Sequence, residues 1–180
     1  MLSTIFKKKV SDEQLANVFV NGILEVIDKG FDEVKAIMEE DRAFESSPDL
    51  SNSSDGHFAM IVIVGNVQSL GVSFSPRQQK SLEPLIFTRL ADSFEMELNE
   101  FMGYFKEYAS FMNRVNHPSK ITLYSMSKAI FYKYKLNEYQ DNYFKSMDSP
   151  NPLFLKRMDE IMKNFLWNWE AFFKRYKIHM

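Results

Sequence analysis

A single all-α domain is what this 180-residue chain predicts, and three observations carry that expectation. Its long segments space their apolar residues by three and four, the helical period, rather than by two. Helix-start signatures of Ser or Asn followed by Pro or Gln recur along the chain. Gly and Pro number only six each, and none falls in a linker rich in them. The expected architecture is one bundle of about six or seven helices over residues 1–180. It is built on two long helices, near 85–115 and 152–177.

The elements follow in order. Residues 1–10 carry Lys7, Lys8 and Lys9 with no acid and read as a flexible arm. Ser11 is placed to cap a first helix, with Gln14 completing a capping box. The apolar face of that helix is Leu15, Val18, Phe19, Gly22, Ile23, Val26 and Ile27. Gly30 is the expected end, with a short second helix through Phe31, Val34, Ile37 and Met38. The turn formers of 46–56 make a loop. Residues 57–70 hold the β-branched run Met60–Val64, which a buried strand would also accept. Helix is preferred, with Asp55 as cap and Gly71-Val72 as a Schellman ending.

Ser75-Pro76-Arg77-Gln78 starts the next helix, which Pro84 kinks or restarts. Beyond it runs the stripe Phe87, Leu90, Phe94, Leu98, Phe101, Phe105, Tyr108, Met112 and Val115, all spaced by three or four. Read as one helix, it is about 45 Å long. Asn116-His117-Pro118 ends it. A helix near 118–135 follows, with Ile121, Leu123, Met126, Ile130 and Tyr134 inward, and then a shorter piece around 137–147. Residues 148–151 are a break, after which Asn151 caps and Pro152 opens the last helix. Its stripe is Leu155, Met158, Met162, Phe165, Trp169, Phe172 and Tyr176.

Composition removes several chemistries. Hydrophobic residues are 45% and charged residues 26% of the chain, which excludes a disordered, collagen-like or strongly basic coat protein. With no Cys, disulfides, thiolate zinc sites, iron–sulfur clusters and Cys nucleophiles are excluded. His57, His117 and His179 are far apart in sequence, and no HExxH or ExxH pair offers a helical metal site. No metal or other cofactor is expected. The longest apolar run, Phe58–Val64, is seven residues, well under the roughly 20 that span a bilayer. The N-terminus lacks the order of a secretory signal. A cytoplasmic protein without a membrane span is expected.

The motifs that touch on catalysis each have a plainer reading. Gly71-Val-Ser73-Phe-Ser75 misses the nucleophile-elbow pattern at its last position. Gly65 and Gly71 bracket five residues, but no Lys follows to make a phosphate loop. Ser125-Met-Ser-Lys128 matches SxxK without its companion motifs. Asp92/Glu95 and Glu97/Glu100 lie off the apolar stripe, where nothing would drive their pKa values apart. No catalytic residue is assigned, and an enzyme is not expected.

Charge and aromatic residues are uneven. Net charge is −9 over residues 11–55 and +5 over 117–180. The last 64 residues hold 14 of the 27 aromatic side chains. Trp167 stands apart from them. On a continuous final helix it points away from the stripe, between Lys163 and Lys174, a Trp on a charged face awaiting a partner. Trp167, Lys163 and Lys174 are therefore the expected partner-binding residues. The expected function is a non-enzymatic helical interaction protein that self-associates or binds a protein partner. The alternative is a binder of a small apolar ligand through a Phe/Met-rich interior. A third reading uses the basic aromatic last third to bind nucleic acid. It is disfavoured because the acidic first quarter offsets that charge.

Overall fold

Capping signals set most of the helix starts in the computed structural model, which describes residues 7–178. At Ser11 and at Ser75 both arms of the capping box form, with Gln14 and Gln78. They open α1 (Asp12–Glu40) and α4 (Pro76–Ser93). Between these lie α2 (Gly56–Gln68) and the single-turn α3 (Leu70–Ser73). The chain continues through α5 (Leu98–Asn116), α6 (Thr122–Lys133), α7 (Asn142–Ser146), α8 (Pro152–Met162) and α9 (Trp169–Arg175). Asn151 caps α8, with Pro152 at its first position. The described residues are 73% helical, and among them seven of these helices have seven or more residues. This is the expected all-α bundle.

The centre of the bundle is α2. It is apolar on every side, and Phe58, Ala59 and all residues from Ile61 to Val67 are buried. A helix apolar all round belongs inside a core rather than at its edge. Helices α1, α5 and α6 pack around it, α4 lies against α1, and α8 against α6. Gly65 lets α6 approach: a Cβ there would strike Met126. The window Gly56–Ser73 is long and apolar enough to cross a membrane by length and composition. It divides at Ser69 into two helices, and the first is enclosed by protein.

Several expectations are corrected. The first helix does not end at Gly30 but runs 29 residues to Glu40, with the buried Gly30 making room for the Phe165 ring. Neither expected long helix is continuous. The 85–115 stripe is divided between α4 and α5 at Phe94–Glu97, where Glu95 takes φ 53°. The amides of Glu95 and Met96 bond the carbonyls of Asp92 and Ala91, the pairing of a Schellman motif. The 152–177 helix gives way to a 3-10 turn at Lys163–Phe165, then extended backbone at Leu166 before α9. The expected Schellman ending at Gly71 is absent: Gly71 lies within α3, and no described glycine has positive φ. Asp55 precedes α2 without a capping side-chain bond.

The arm expected over 1–10 is also corrected in part. Lys8–Val10 forms strand β1, paired in parallel with β2 (Tyr176–Ile178). Lys7 precedes the strand without regular structure, and residues 1–6 of the expected arm lie outside the described residues, as does His179. Most of the buried identities hold where continuity fails. Met158, Met162, Phe165, Trp169 and Phe172 are buried on both sides of the second break. Phe94 and Leu98, which flank the first break, are exposed.

Candidate functional site

The break after α8 creates the most distinctive surface of the molecule. Asn66, at the end of the buried run of α2, is 1% exposed. Its amide nitrogen donates to the carbonyls of Val62 at 2.9 Å and Phe165 at 2.7 Å. Its Oδ1 accepts the Trp167 amide at 2.7 Å. The side chain thus meets the backbone groups that lose helical partners where the chain turns extended at Leu166. Asn168 then accepts the Ala171 amide at 2.9 Å and caps α9.

This bracket swings Trp167 inward. The expected outward position, on a charged face between Lys163 and Lys174, is corrected because it required an unbroken helix. The indole covers Gly22 of α1, where a Cβ would collide with the six-membered ring. It meets Phe19 edge-on at 5.8 Å and neighbours Trp169 at 6.0 Å and Phe172 at 6.5 Å. Lys163 and Lys174 are exposed and do not line this region; Lys174 pairs with Glu170 at 2.8 Å.

A groove of about 480 Å³ opens between α1 and the segment from Asn164 to Tyr176. One wall carries Val18, Ile23 and Val26; the other carries Phe165, Leu166, Trp167 and Phe172. Val18 and Val26 lie one turn either side of Gly22 and remain 43% and 36% exposed. The polar side chains on its lining are Asn164, Asn168, Arg175 and Tyr176, with the Trp167 indole beside them. Trp167 adds a second peculiarity: its indole nitrogen is buried and has no acceptor among the described residues. An unmet buried donor costs about 1–3 kcal/mol, so this wall is less settled than the core behind it. The groove is within the usual size of ligand sites, and its mainly apolar lining with a few polar groups is their usual make-up.

The residues behind the catalytic motifs are occupied otherwise. The Ser125 hydroxyl is buried and donates to Thr122 O at 2.7 Å, away from any role with Lys128. Ser127, also buried, donates to Asp159 at 2.5 Å; desolvation raises the Asp159 carboxyl above its ordinary value, against the opposing effects of Ser127 and Lys128. His57 Nδ1 lies 2.6 Å from the Tyr108 hydroxyl. Burial first, and Lys133 second, lower the His57 pKa. Tyr134, its other neighbour, donates to Ser54 O and accepts the Phe58 amide. These bonds tie the start of α2 to α5 and α6. Among the described residues no group of three His, Asp or Glu side chains is placed to hold a metal ion.

The sequence pointed to Trp167 but not to its surroundings. Gly22 and Val18 were legible as parts of an apolar face, but nothing in the local pattern linked them to residue 167. Asn66 carried one available signal, a lone amide in an apolar helix, where a buried polar side chain needs partners. Comparison with known proteins adds no relative: no family model, no curated protein and no solved structure matches this chain.

Proposed function

We propose that this protein is a non-enzymatic binding protein whose groove between α1 and the C-terminal segment takes a small apolar ligand. The observation that carries this reading is the Trp167 wall: an indole seated on Gly22, with an unmet donor, beside two exposed valines. The rim adds a preference. Arg175 lines the groove and has no carboxylate partner within 4 Å among the described residues. An aryl or alkyl body with an acidic end therefore suits it. The site lies at the edge of the Phe/Met-rich interior, not inside it.

Titration with anilinonaphthalene sulfonate, an aryl anion, tests the proposal through tryptophan fluorescence. The expected result is saturable binding of one probe per chain. It should weaken about tenfold in a Val18→Glu/Val26→Glu variant, since charges replace apolar contacts there. Equal binding by both proteins would refute it.

The exposed pair Val18 and Val26 also supports a second reading, self-association through the same strip, in a cytoplasmic setting. Sedimentation of the same two proteins separates the readings. A wild-type dimer reduced to monomer by the paired substitutions favours self-association; a monomer that binds the probe favours the ligand groove.

A further inference from the structure

We propose that the start of α2 is an acid-released latch, in which protonation of His57 drives its ring away from α5 and α6 and frees the chain from Ser54 to Phe58. The latch is a cluster of side chains from three elements. His57 Nδ1 lies 2.6 Å from the Tyr108 hydroxyl of α5. The imidazole meets Tyr134, just past the end of α6, edge-on at 5.6 Å. The Lys133 ammonium, also from α6, sits over the rings of Tyr108 at 4.4 Å and Phe111 at 4.7 Å.

This arrangement suits a neutral ring. The Tyr108 hydroxyl has no other acceptor among the described residues, so its proton belongs to Nδ1. A proton placed on Nδ1 would take that acceptor away. The new charge would stand in the first turn of α2, at the positive end of the helix dipole. It would also share Tyr108 with the Lys133 ammonium. Among the described residues no carboxylate oxygen lies within 4 Å of the imidazole to offset it. The acids on either side act on the tyrosines instead, Asp55 on Tyr134 and Glu107 on Tyr108. Burial, and after it Lys133, accordingly lower the His57 pKa.

Water is close enough to receive the charged ring. Ser54, Asp55 and Gly56 are exposed, and Asp55 makes no capping side-chain bond that would fix the first turn. The Tyr134 hydroxyl grips the same segment, donating to Ser54 O at 3.0 Å and accepting the Phe58 amide at 3.1 Å. Departure of His57 from its place beside Tyr134 pulls on both bonds. The sign follows from the lowered folded pKa. The latch is fully closed above the released value, near 6.5, and weakens as pH falls through the lower folded one.

Amide hydrogen exchange of the whole protein, corrected for the intrinsic rate at each pH, tests the proposal. Protection of the Phe58 amide should fall about tenfold between pH 7 and pH 5, while that of Ile23 in α1 stays constant. His57→Gln has no group that titrates in this range and should abolish the fall. Lys133→Met keeps the packing of the stem and should raise the His57 pKa towards its ordinary value, read from the ring proton shifts. Phe58 protection that does not change with pH in the wild type would overturn the proposal. So would an equal fall in His57→Gln, an equal fall at Ile23, or a His57 titration unmoved by Lys133→Met.

Discussion

The Trp167 indole occupies the space that a side chain on residue 22 would fill. Gly22 is thus the seat of the residue that shapes the groove, and two positions 145 apart in sequence depend on each other. Gly22→Ala gains about 0.8–1 kcal/mol of helix propensity but must displace a ring held by the 165–169 turn. Overpacking of this kind costs about 1–3 kcal/mol. The expected net result is destabilisation. With Trp167→Ala as background, the same change should become neutral or stabilising. Urea unfolding of the four proteins gives the coupling directly.

Asn66 holds that turn from the opposite side. Asn66→Leu keeps the volume but strands the Phe165 carbonyl and the Trp167 amide. The expected loss is about 2–4 kcal/mol, from two buried groups left unpaired. Tryptophan emission should also shift to the red as the turn opens to water. An unchanged midpoint with unchanged emission would show that the bracket does not hold the turn.

Glu95 is the left-handed residue of the Schellman motif that ends α4. A non-glycine residue pays a steric penalty there, and glycine is the usual choice. Glu95→Gly should therefore stabilise the protein by about 0.5–1 kcal/mol, read from thermal or urea midpoints. A loss of stability would mean that this conformation is not the one adopted.

Two aspartates should give opposite pH dependences. Desolvation acts to raise the Asp41 carboxyl, but the bonds from Arg157 and the Ala43 amide prevail and hold it below its ordinary value. Its contribution to stability is thus present above the unfolded pKa, near 3.9, and fades as pH falls through the lower folded value. Asp41 is 1% exposed at its side chain and Arg157 43%. Arg157→Ala should cost about 2–3 kcal/mol at neutral pH, less than a fully buried pair would, and the loss should shrink at low pH.

Asp159 has the reverse sign. Its folded pKa is raised by desolvation, so its contribution is present below the unfolded pKa and is lost as pH rises through the folded one. Asp159→Asn retains an acceptor for Ser127 and should make the protein more stable at pH 7 than the wild type. Midpoints measured from pH 3 to 7 check both signs.

Much of the fold was legible because it is written locally. Ser11, Ser75 and Asn151 start helices through bonds to residues two or three positions on, and the stripes name most of the buried side chains. The breaks were not legible, for different reasons. At Glu95 the chain turns with no Gly or Pro, and the apolar spacing continues across the turn, so nothing marks it. At Leu166 the cause is Asn66, about 100 residues away. Gly30 read as a helix end because a glycine that admits an aromatic ring and one that stops a helix are the same letter. The candidate groove inherits these gaps: Trp167 stood out, but its inward position needed a broken helix and a distant amide.

The most direct measurement of the central claim is a map of valine methyl resonances during titration with anilinonaphthalene sulfonate. Val18 and Val26 border the groove, whereas Val72, 90% exposed, does not line it. The ligand-groove account predicts saturable shifts at Val18 and Val26, with Val72 unmoved. Shifts at Val72 equal to those at Val18 and Val26, or no saturable shift at either groove valine, would contradict it.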